Sequence, residues 1–186
     1  MRPILKKYLN QFIVLSFLIL LVSCKKEKIG IDGLPPTTQT GKQTLGCLVN
    51  GALFTPKTSL FSNTPALEAN YYFWDGSYNL TISANRKIKD NLLSIDINTI
   101  GILIKEGMTI PLTDGSMGGA IGSYTNYSAV NMGFKTNNQF KGELKITRFD
   151  EINHIISGTF WFDGEDSKGE KVEVREGRFD IKDIRI

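Results

Sequence analysis

The chain has 186 residues, with 22 Lys and Arg, 19 Asp and Glu, one histidine and two cysteines. Three of the basic residues, Arg2, Lys6 and Lys7, lie close to the N-terminus, and the charges of the chain that follows them balance. This balance gives no support for nucleic-acid binding.

Residues 1–23 have the three parts of a bacterial signal peptide. A positive start is followed by an apolar run at 12–22 that only Ser16 interrupts. Because a helix that spans a bilayer needs roughly 20 apolar residues, this run is too short for a permanent anchor. The stretch Leu21-Val22-Ser23-Cys24 resembles the lipobox of bacterial lipoproteins, which implies cleavage before Cys24 and a diacylglycerol on its thiol. The alternative is an ordinary signal peptide with a chance cysteine at its end.

The chain after the signal peptide divides into a tether and a domain. Residues 24–43 contain charges, Pro35-Pro36, Thr and Gln without a hydrophobic period, which predicts a flexible, lipid-anchored tether. Two or three acyl chains on Cys24 would hold it firmly, since each buried methylene adds about 0.8 kcal/mol. Residues 44–186 are enough for one domain with its own core. Cys47 has apolar neighbours and is expected to be a small buried side chain.

From Leu45 onward, apolar and polar residues alternate with a period of two, which is typical of half-buried strands. Asn50-Gly51 and Asp75-Gly76 predict two tight hairpins. Further strands are predicted in the later alternating stretches, including 93–97, 130–134, 140–147, 156–162, 172–174 and 179–181. A strand pair is predicted around 105–107, ending near Pro111, and a Gly-rich loop at 113–123.

About ten short strands joined by local turns predict an all-β fold. Sequential hairpins favour antiparallel neighbours. Uneven strand lengths and the break at 113–123, interpreted as a crossing between sheets, favour an antiparallel β-sandwich. A closed β-barrel is the alternative.

Two blocks of the sequence resemble a known family. They are Gly46-Cys47-Leu48-Val49-Asn50-Gly51 with Phe54, and Gly142 through Ile146-Thr147 and Ile156-Ser157-Gly158-Thr159-Phe160 to Glu176-Gly177-Arg178-Phe179. Over roughly residues 44–182 the chain is similar to uncharacterised small lipoproteins of the Bacteroidetes that share a domain of unknown function. The resemblance implies a β-rich, lipid-anchored protein of the outer membrane, on its periplasmic or its surface side, and it transfers no catalytic residue.

Motifs for catalysis and metal binding are weak. Asp114-Gly115-Ser116-Met117-Gly118 approaches a G-x-S-x-G elbow, but the first glycine is missing and no helix follows. The acidic loop at 163–170 fails as an EF-hand because Lys168 takes the place of the required glycine, although a weak calcium site of another geometry stays open. With Cys24 modified, the sequence offers one histidine, His154, and no free cysteine pair. It therefore lacks the ligands of an ordinary zinc site. We predict no catalytic residue, no cofactor and no metal site.

Tyr72, Trp74 and Trp161 are the candidate ligand-binding residues. Alternation along 67–74 places Leu67, Ala69, Tyr71 and Phe73 on the face of the strand that is directed to the core. Tyr72 and Trp74 then point outward, and Trp161 lies opposite the core positions of its own strand. Aromatic rings among small polar groups suit stacking on sugar or peptide surfaces. The alternative is that these rings cover the sheet beneath a loop.

The leading functional hypothesis is a lipid-anchored, non-enzymatic binding or assembly module of the cell envelope, with a glycan or protein ligand. The rival is an envelope hydrolase acting on glycans through carboxylates such as Glu68 or Asp75. That chemistry needs two carboxyl groups roughly 5–10 Å apart, a separation that only a structure supplies. The sequence predicts no oligomeric state.

Overall fold

The computed structural model describes residues 33–58, 62–128 and 132–186. The secondary-structure elements of this part of the chain are strands. Their bounds are β1 Thr44–Val49, β2 Ala52–Phe54, β3 Leu67–Trp74, β4 Ser77–Ile88, β5 Asn91–Ile100, β6 Thr109–Leu112, β7 Ala120–Asn126, β8 Met132–Lys135, β9 Gly142–Asp150, β10 Ile155–Glu165 and β11 Lys171–Lys182. Within the described ranges, no helix is long and apolar enough to cross a membrane.

The strands are joined by hydrogen bonds into one mixed sheet of 11 strands. Their order is β2-β1-β11-β10-β9-β6-β7-β5-β4-β3, and β8 pairs with both β7 and β10. All neighbouring strands are antiparallel apart from β6 and β7, which meet in parallel at Leu112 and Ala120. The prediction of an all-β fold with largely antiparallel neighbours is confirmed.

Both predicted hairpins are present, and their turns have the backbone that two-residue hairpins require. Asn50 and Gly51 have φ values of 48° and 79°, and Asp75 and Gly76 have 48° and 76°. Two successive positive φ values are the mark of a type I′ turn, whose twist matches that of the flanking strands. The Asn-Gly and Asp-Gly pairs therefore set the register of β1 on β2 and of β3 on β4.

The long sheet curves so that its two halves pack face to face, as the sandwich prediction requires. The rings of Tyr71 on β3 and Phe149 on β9 are 5.2 Å apart in an edge-to-face arrangement, although four strands separate β3 from β9 in the sheet order. A single buried cluster fills the space between the halves, with members from strands at both ends of the sheet. Among the described strands, each except β8 contributes to this core.

The last residues of the chain cover the free edge of β3. The Tyr71 amide donates to the Arg185 carbonyl over 2.7 Å, and the Arg185 amide donates to the Ala69 carbonyl over 3.2 Å. Ile184 is buried beside this contact. An uncovered edge strand would offer unpaired backbone groups to other chains, and this short C-terminal segment removes part of that exposure.

Two predicted details of the connections are wrong. Residues 101–108 form a loop rather than a strand pair, although Pro111 lies inside β6, which ends at the next residue, near the predicted position. Pro111 is paired with Glu143 on β9, whereas on its other side β6 pairs with β7 at Leu112 alone, so a proline nitrogen on that side removes little from the ladder. The residues between β6 and β7 do not cross between two sheets, since these strands are neighbours.

Residues 33–43, which we call the strap, lie against the domain instead of hanging free. Leu34 is buried, and Pro35 packs so closely on Gly46 that a Cβ there would lie 2.4 Å from the Pro35 Cδ. The sequence predicted a flexible tether up to residue 43, and its Pro, Thr and Gly content gave no sign of this contact. The signal peptide at 1–23, Cys24 and residues 25–32 lie outside the described residues.

Candidate functional site

Two of the predicted ligand-binding residues, Tyr72 and Trp74, lie on the surface at the end of the β3–β4 hairpin. They are 46% and 72% exposed. Phe73, predicted to face the core, is 61% exposed, so that prediction is wrong. The reason is the length of the hairpin: β5 pairs with β4 only from Asn79 onward. The last residues of the hairpin form a two-stranded ribbon that projects beyond the core.

Tyr71 anchors this ribbon in the core. Its side chain is 2% exposed, its ring stacks on Tyr78 with centroids 5.4 Å apart, and its hydroxyl oxygen accepts the backbone N–H of Ile104 at 3.2 Å. Burial raises the pKa of the Tyr71 hydroxyl. The base of the ribbon is therefore fixed by both packing and a hydrogen bond.

The exposed apolar side chains above this base lie on both faces of the ribbon, and we call them together the aromatic tip, defined as Tyr72, Phe73, Trp74, Tyr78 and Leu103. Phe73 and Tyr78 are in edge-to-face contact at 5.0 Å. The Ser77 hydroxyl donates to the Trp74 carbonyl at 3.1 Å, and the Ile102 amide donates to the Tyr78 carbonyl, which brings the exposed Leu103 alongside. The rings are thus presented by an ordered backbone.

Trp161, the third predicted residue, lies on β10 and is 41% exposed. Its cross-strand partner is Glu143 on β9, and the adjacent Phe160 and Phe162 face the core. The guanidinium of Arg175 lies 5.7 Å from the ring centroid, within the range of a cation–π contact. The predicted outward orientation of Trp161 is confirmed.

Arg175 is held in place from several directions. Its Nη2 is 2.6 Å from the Asp163 carboxylate and 3.7 Å from that of Glu173. Its Nη1 donates to the carbonyls of Phe162 and Val174, each at 3.1 Å. A guanidinium bound to fixed backbone and carboxylate groups has little freedom, so it restrains the position of the Trp161 ring.

A β-bulge in β11 lies opposite Trp161. Phe160 pairs with Gly177, whereas Phe162 pairs with Val174, so one extra residue of β11 is accommodated between them. Glu176 takes the strained position: within the described chain, it is the one non-glycine residue inside a strand that has a positive φ, at 56°. Such a residue costs of order 1–3 kcal/mol, and bulges of this kind often re-aim side chains beside functional sites.

The bulge and the strap together form a cavity of about 370 Å³, which we call the Trp161 cavity. Its walls come from β9, β10, β11 and the strap. The lining residues are Thr37, Glu143, Thr159, Phe160, Trp161, Arg175, Glu176, Gly177 and Arg178. It combines one large aromatic ring with carboxylates, guanidinium groups and hydroxyls.

The structure does not bring the three predicted aromatic residues together. Trp161 lies opposite the bulge of β11, and the chain runs on from there to Arg185, which pairs in parallel with Asn70. Trp74 lies still further in the same direction on β3. The candidate residues therefore belong to two separate surfaces, the aromatic tip and the Trp161 cavity.

Asp180 is a buried charge that sequence reasoning missed. It is 1% exposed and accepts hydrogen bonds from the hydroxyls of Thr38 and Ser157 at 2.6 and 2.8 Å. It also accepts the backbone N–H groups of residues 40, 41 and 42. Burial works to raise its pKa, but these donors outweigh it and hold the pKa of Asp180 below its ordinary value. Asp180 binds the strap to the domain.

A larger cleft of about 520 Å³ lies between the strap and the start of β3. Its walls include Pro35, Leu45 and Leu67, and none of its described lining residues is charged. Gln43 already donates to the Leu67 carbonyl and accepts the Lys182 amide. The described lining of the cleft is therefore largely apolar and offers no convergent set of free polar groups. It indicates no ligand class.

The residues considered for hydrolase chemistry either have other hydrogen-bond partners or lie far apart. Ser116 is in a turn in which its amide donates to Asp114, whereas the His154 ring is hydrogen-bonded to the Ile184 carbonyl. Glu68 forms an ion pair with Arg185 at 3.1 Å. It is seven positions from Asp75 along β3, which at about 3.3 Å per residue is roughly 20 Å. That separation is too long for a cooperating carboxylate pair.

Cys47 is fully buried, and burial raises the pKa of its thiol to about 12. At neutral pH it stays protonated and unreactive, in line with the small buried side chain expected. In the part of the chain that the structure describes, no group of three or more His, Cys, Asp or Glu side chains could hold a metal ion.

Comparison with known proteins gives one match. The sequence profile of a domain of unknown function, DUF6252, matches residues 63–180, which is more than half of the chain. The prediction of a family known as a domain of unknown function is confirmed to that extent. No curated protein and no solved structure matches the chain.

Proposed function

Since the chain belongs to the DUF6252 family, whose function is unknown, its function has to be argued from its own surfaces, and we propose that it is a non-enzymatic binding module. In this proposal a lipid on Cys24 holds it at the outer membrane, as in the Bacteroidetes lipoproteins that its sequence resembles. The aromatic tip engages a protein partner there.

The observation that carries this proposal is the exposure of large apolar side chains at one place. Trp74, Phe73, Leu103, Tyr72 and Tyr78 are all at least 40% exposed and lie on neighbouring segments. Burying one such side chain is worth about 1.5–3 kcal/mol, so soluble proteins rarely leave several together in water. Trp and Tyr are also the residues that most often dominate the binding energy of protein interfaces.

The shape and charge of the tip favour a protein over a membrane or a sugar. Asp75 lies at its apex, and the hairpin has no Lys or Arg between residues 69 and 85, whereas binding to anionic lipid relies on basic residues. The rings project from both faces of a ribbon, whereas small-ligand sites are concave. A projecting apolar ribbon suits a groove on another protein.

The described chain enters the domain far from this tip. Gly33 lies beside Leu53 on β2, and the preceding β-turn at Asn50 contacts Glu173 near the start of β11. The tip lies beyond the opposite end of β11, past the Arg185 contact with β3. The strap thus joins the domain at the end opposite the tip, which favours a tip that faces away from a bilayer that holds a lipid on Cys24. Replacing Cys24 with Ser should leave unlipidated precursor by intact mass, and normal lipidation of that variant would contradict the anchor.

A site-specific photo-crosslinker tests the partner. Placed at position 74 in living cells, it should give a discrete protein adduct, whereas the same group at the exposed Tyr127 should not. The purified partner should then bind the natural protein and bind Phe73→Ala/Trp74→Ala at least tenfold more weakly, with Tyr127→Ala as the matched control. Adducts to lipid or glycan only, no discrete adduct, or equal binding by the double variant would contradict the proposal.

A further inference from the structure

The Trp161 cavity contains a flat ring that a neighbouring guanidinium restrains before any ligand arrives. The Arg175 guanidinium lies 5.7 Å from the ring centroid, and Asp163 and two backbone carbonyls hold that guanidinium. A ligand that stacks on the exposed part of the ring therefore has little side-chain freedom to remove, which favours binding. An indole offers an apolar face of the size of a pyranose ring, whose C–H groups pack on it.

The charges of the cavity balance. Glu143 and Glu176 stand against Arg175 and Arg178 in its lining. Arg175 is paired with Asp163, and the Arg178 Nη2 is 2.9 Å from the Glu176 carboxylate. Sites for phosphate or carboxylate ligands rely on Arg or Lys groups that can bind them directly. Both guanidinium groups here have carboxylate partners, so the cavity favours a neutral ligand.

The polar groups that are open to a ligand suit hydroxyls. In the described part of the chain, the Glu143 carboxylate has no hydrogen-bond or ion-pair partner, and it is an acceptor for several donors. Thr37 and Thr159 line the same space, and a threonine hydroxyl can both donate and accept. Neighbouring hydroxyls of one sugar ring can donate to a carboxylate and exchange hydrogen bonds with such groups.

We propose that the Trp161 cavity binds a neutral mono- or disaccharide unit. The sugar stacks on Trp161, and its hydroxyls donate to Glu143 and exchange hydrogen bonds with Thr37 and Thr159. The volume of about 370 Å³ is at the lower end of the range of about 300–1,000 Å³ for small-molecule sites, so a longer glycan would place one or two units here. This site is separate from the aromatic tip and does not depend on the protein partner.

The two tryptophans of the chain allow a direct test. In the full chain with Trp74→Phe, Trp161 is the single tryptophan, and its fluorescence reports on the cavity. The probes are glucose, galactose, mannose, N-acetylglucosamine, maltose, cellobiose, lactose and chitobiose, with galacturonic acid and inorganic phosphate as charged controls. At least one neutral sugar should give a saturable fluorescence change, and calorimetry on the natural chain should give the same affinity.

The variants decide whether the cavity is the site. Glu143→Gln and Trp161→Ala should each weaken that affinity at least tenfold, whereas Glu151→Gln, at an exposed turn, should leave it unchanged. Glu143→Gln keeps the size of the side chain, so it tests the proposal even if Trp161→Ala fails to fold. Saturation by no neutral sugar, saturation by the charged probes only, or full affinity in Glu143→Gln would overturn it. Photo-crosslinking from position 74 is a separate readout and is unaffected by either result.

Discussion

Asp180 shows how one residue can hold a segment that the sequence pattern assigns to no element. Its carboxylate accepts five hydrogen bonds, four of them from the strap. Asp180→Ala should cost about 3 kcal/mol, because hydrogen bonds to a charged group are worth about 1.5–3 kcal/mol each and the exposed strap regains part of this from water. Chemical denaturation measures this cost, and limited proteolysis should cut the released strap.

The dependence of this cost on pH has a definite sign. The pKa of Asp180 is depressed in the folded protein, so its stabilisation is present above the unfolded pKa of about 4 and is lost as the pH falls through the folded value. The difference between variant and natural protein should therefore shrink in acid. Asp166→Ala is the matched control, since Asp166 also accepts two backbone amides but in an exposed loop. An equal loss in both variants would refute the special role of Asp180.

Tyr71 and Phe73 mark the limit of sequence reasoning at this scale. Both occupy the same face of β3 by alternation, and the pattern correctly places Tyr71 in the core. Phe73 is exposed because β5, the strand beyond β4, ends at Ile100, opposite Asn79, and does not reach as far as the end of the hairpin. Alternation reports the face of a residue, but whether anything covers that face depends on the length of strands that are distant in sequence.

At the scale of elements, the bulge of β11 depends on a glycine. A Cβ on Gly177 would lie 2.5 Å from the Phe160 carbonyl oxygen, whereas a Cβ on Gly133 in β8 would meet nothing closer than 3.8 Å. Gly177→Ala should cost about 2–3 kcal/mol, as overpacking typically does, and Gly133→Ala should change stability by less than about 1 kcal/mol. Melting curves of the two variants measure the contrast. A neutral Gly177→Ala would mean that the bulge has room to shift.

Most elements were predictable because local signals agree with the final fold. Asn50-Gly51 and Asp75-Gly76 fix two hairpins by turn chemistry alone, and the outward orientation of Trp161 follows from alternation. The bulge itself left no local signal, since Glu176 is an ordinary polar residue whose positive φ results from pairing with β10. The Trp161 cavity was therefore half predicted: the ring from the pattern, and its walls only from the structure.

For the whole molecule, the strap changes where the folded domain begins. The sequence predicts a domain from residue 44, yet Leu34 is buried and Asp180 takes most of its donors from residues 38–42. Both 33–186 and 44–186 should give β-type circular dichroism, and reductant should shift neither melting temperature, since Cys47 is the one cysteine in either. The shorter chain should be less stable by about 2–4 kcal/mol, because it loses the Leu34 packing and leaves the Asp180 charge short of donors.

A double-mutant cycle separates this mechanism from a general effect of truncation. If the strap stabilises the domain through Asp180, then Asp180→Ala should cost less in 44–186 than in 33–186, because the four donors of the strap are already missing there. The coupling energy should lie between about 0.5 and 3 kcal/mol, the range for residues in one hydrogen-bond network. Additive losses would show that the strap acts through Leu34 and Pro35 alone.

The Trp161 cavity should also respond, because Thr37 belongs to its lining, so 44–186 should bind any sugar ligand of the cavity more weakly than 33–186.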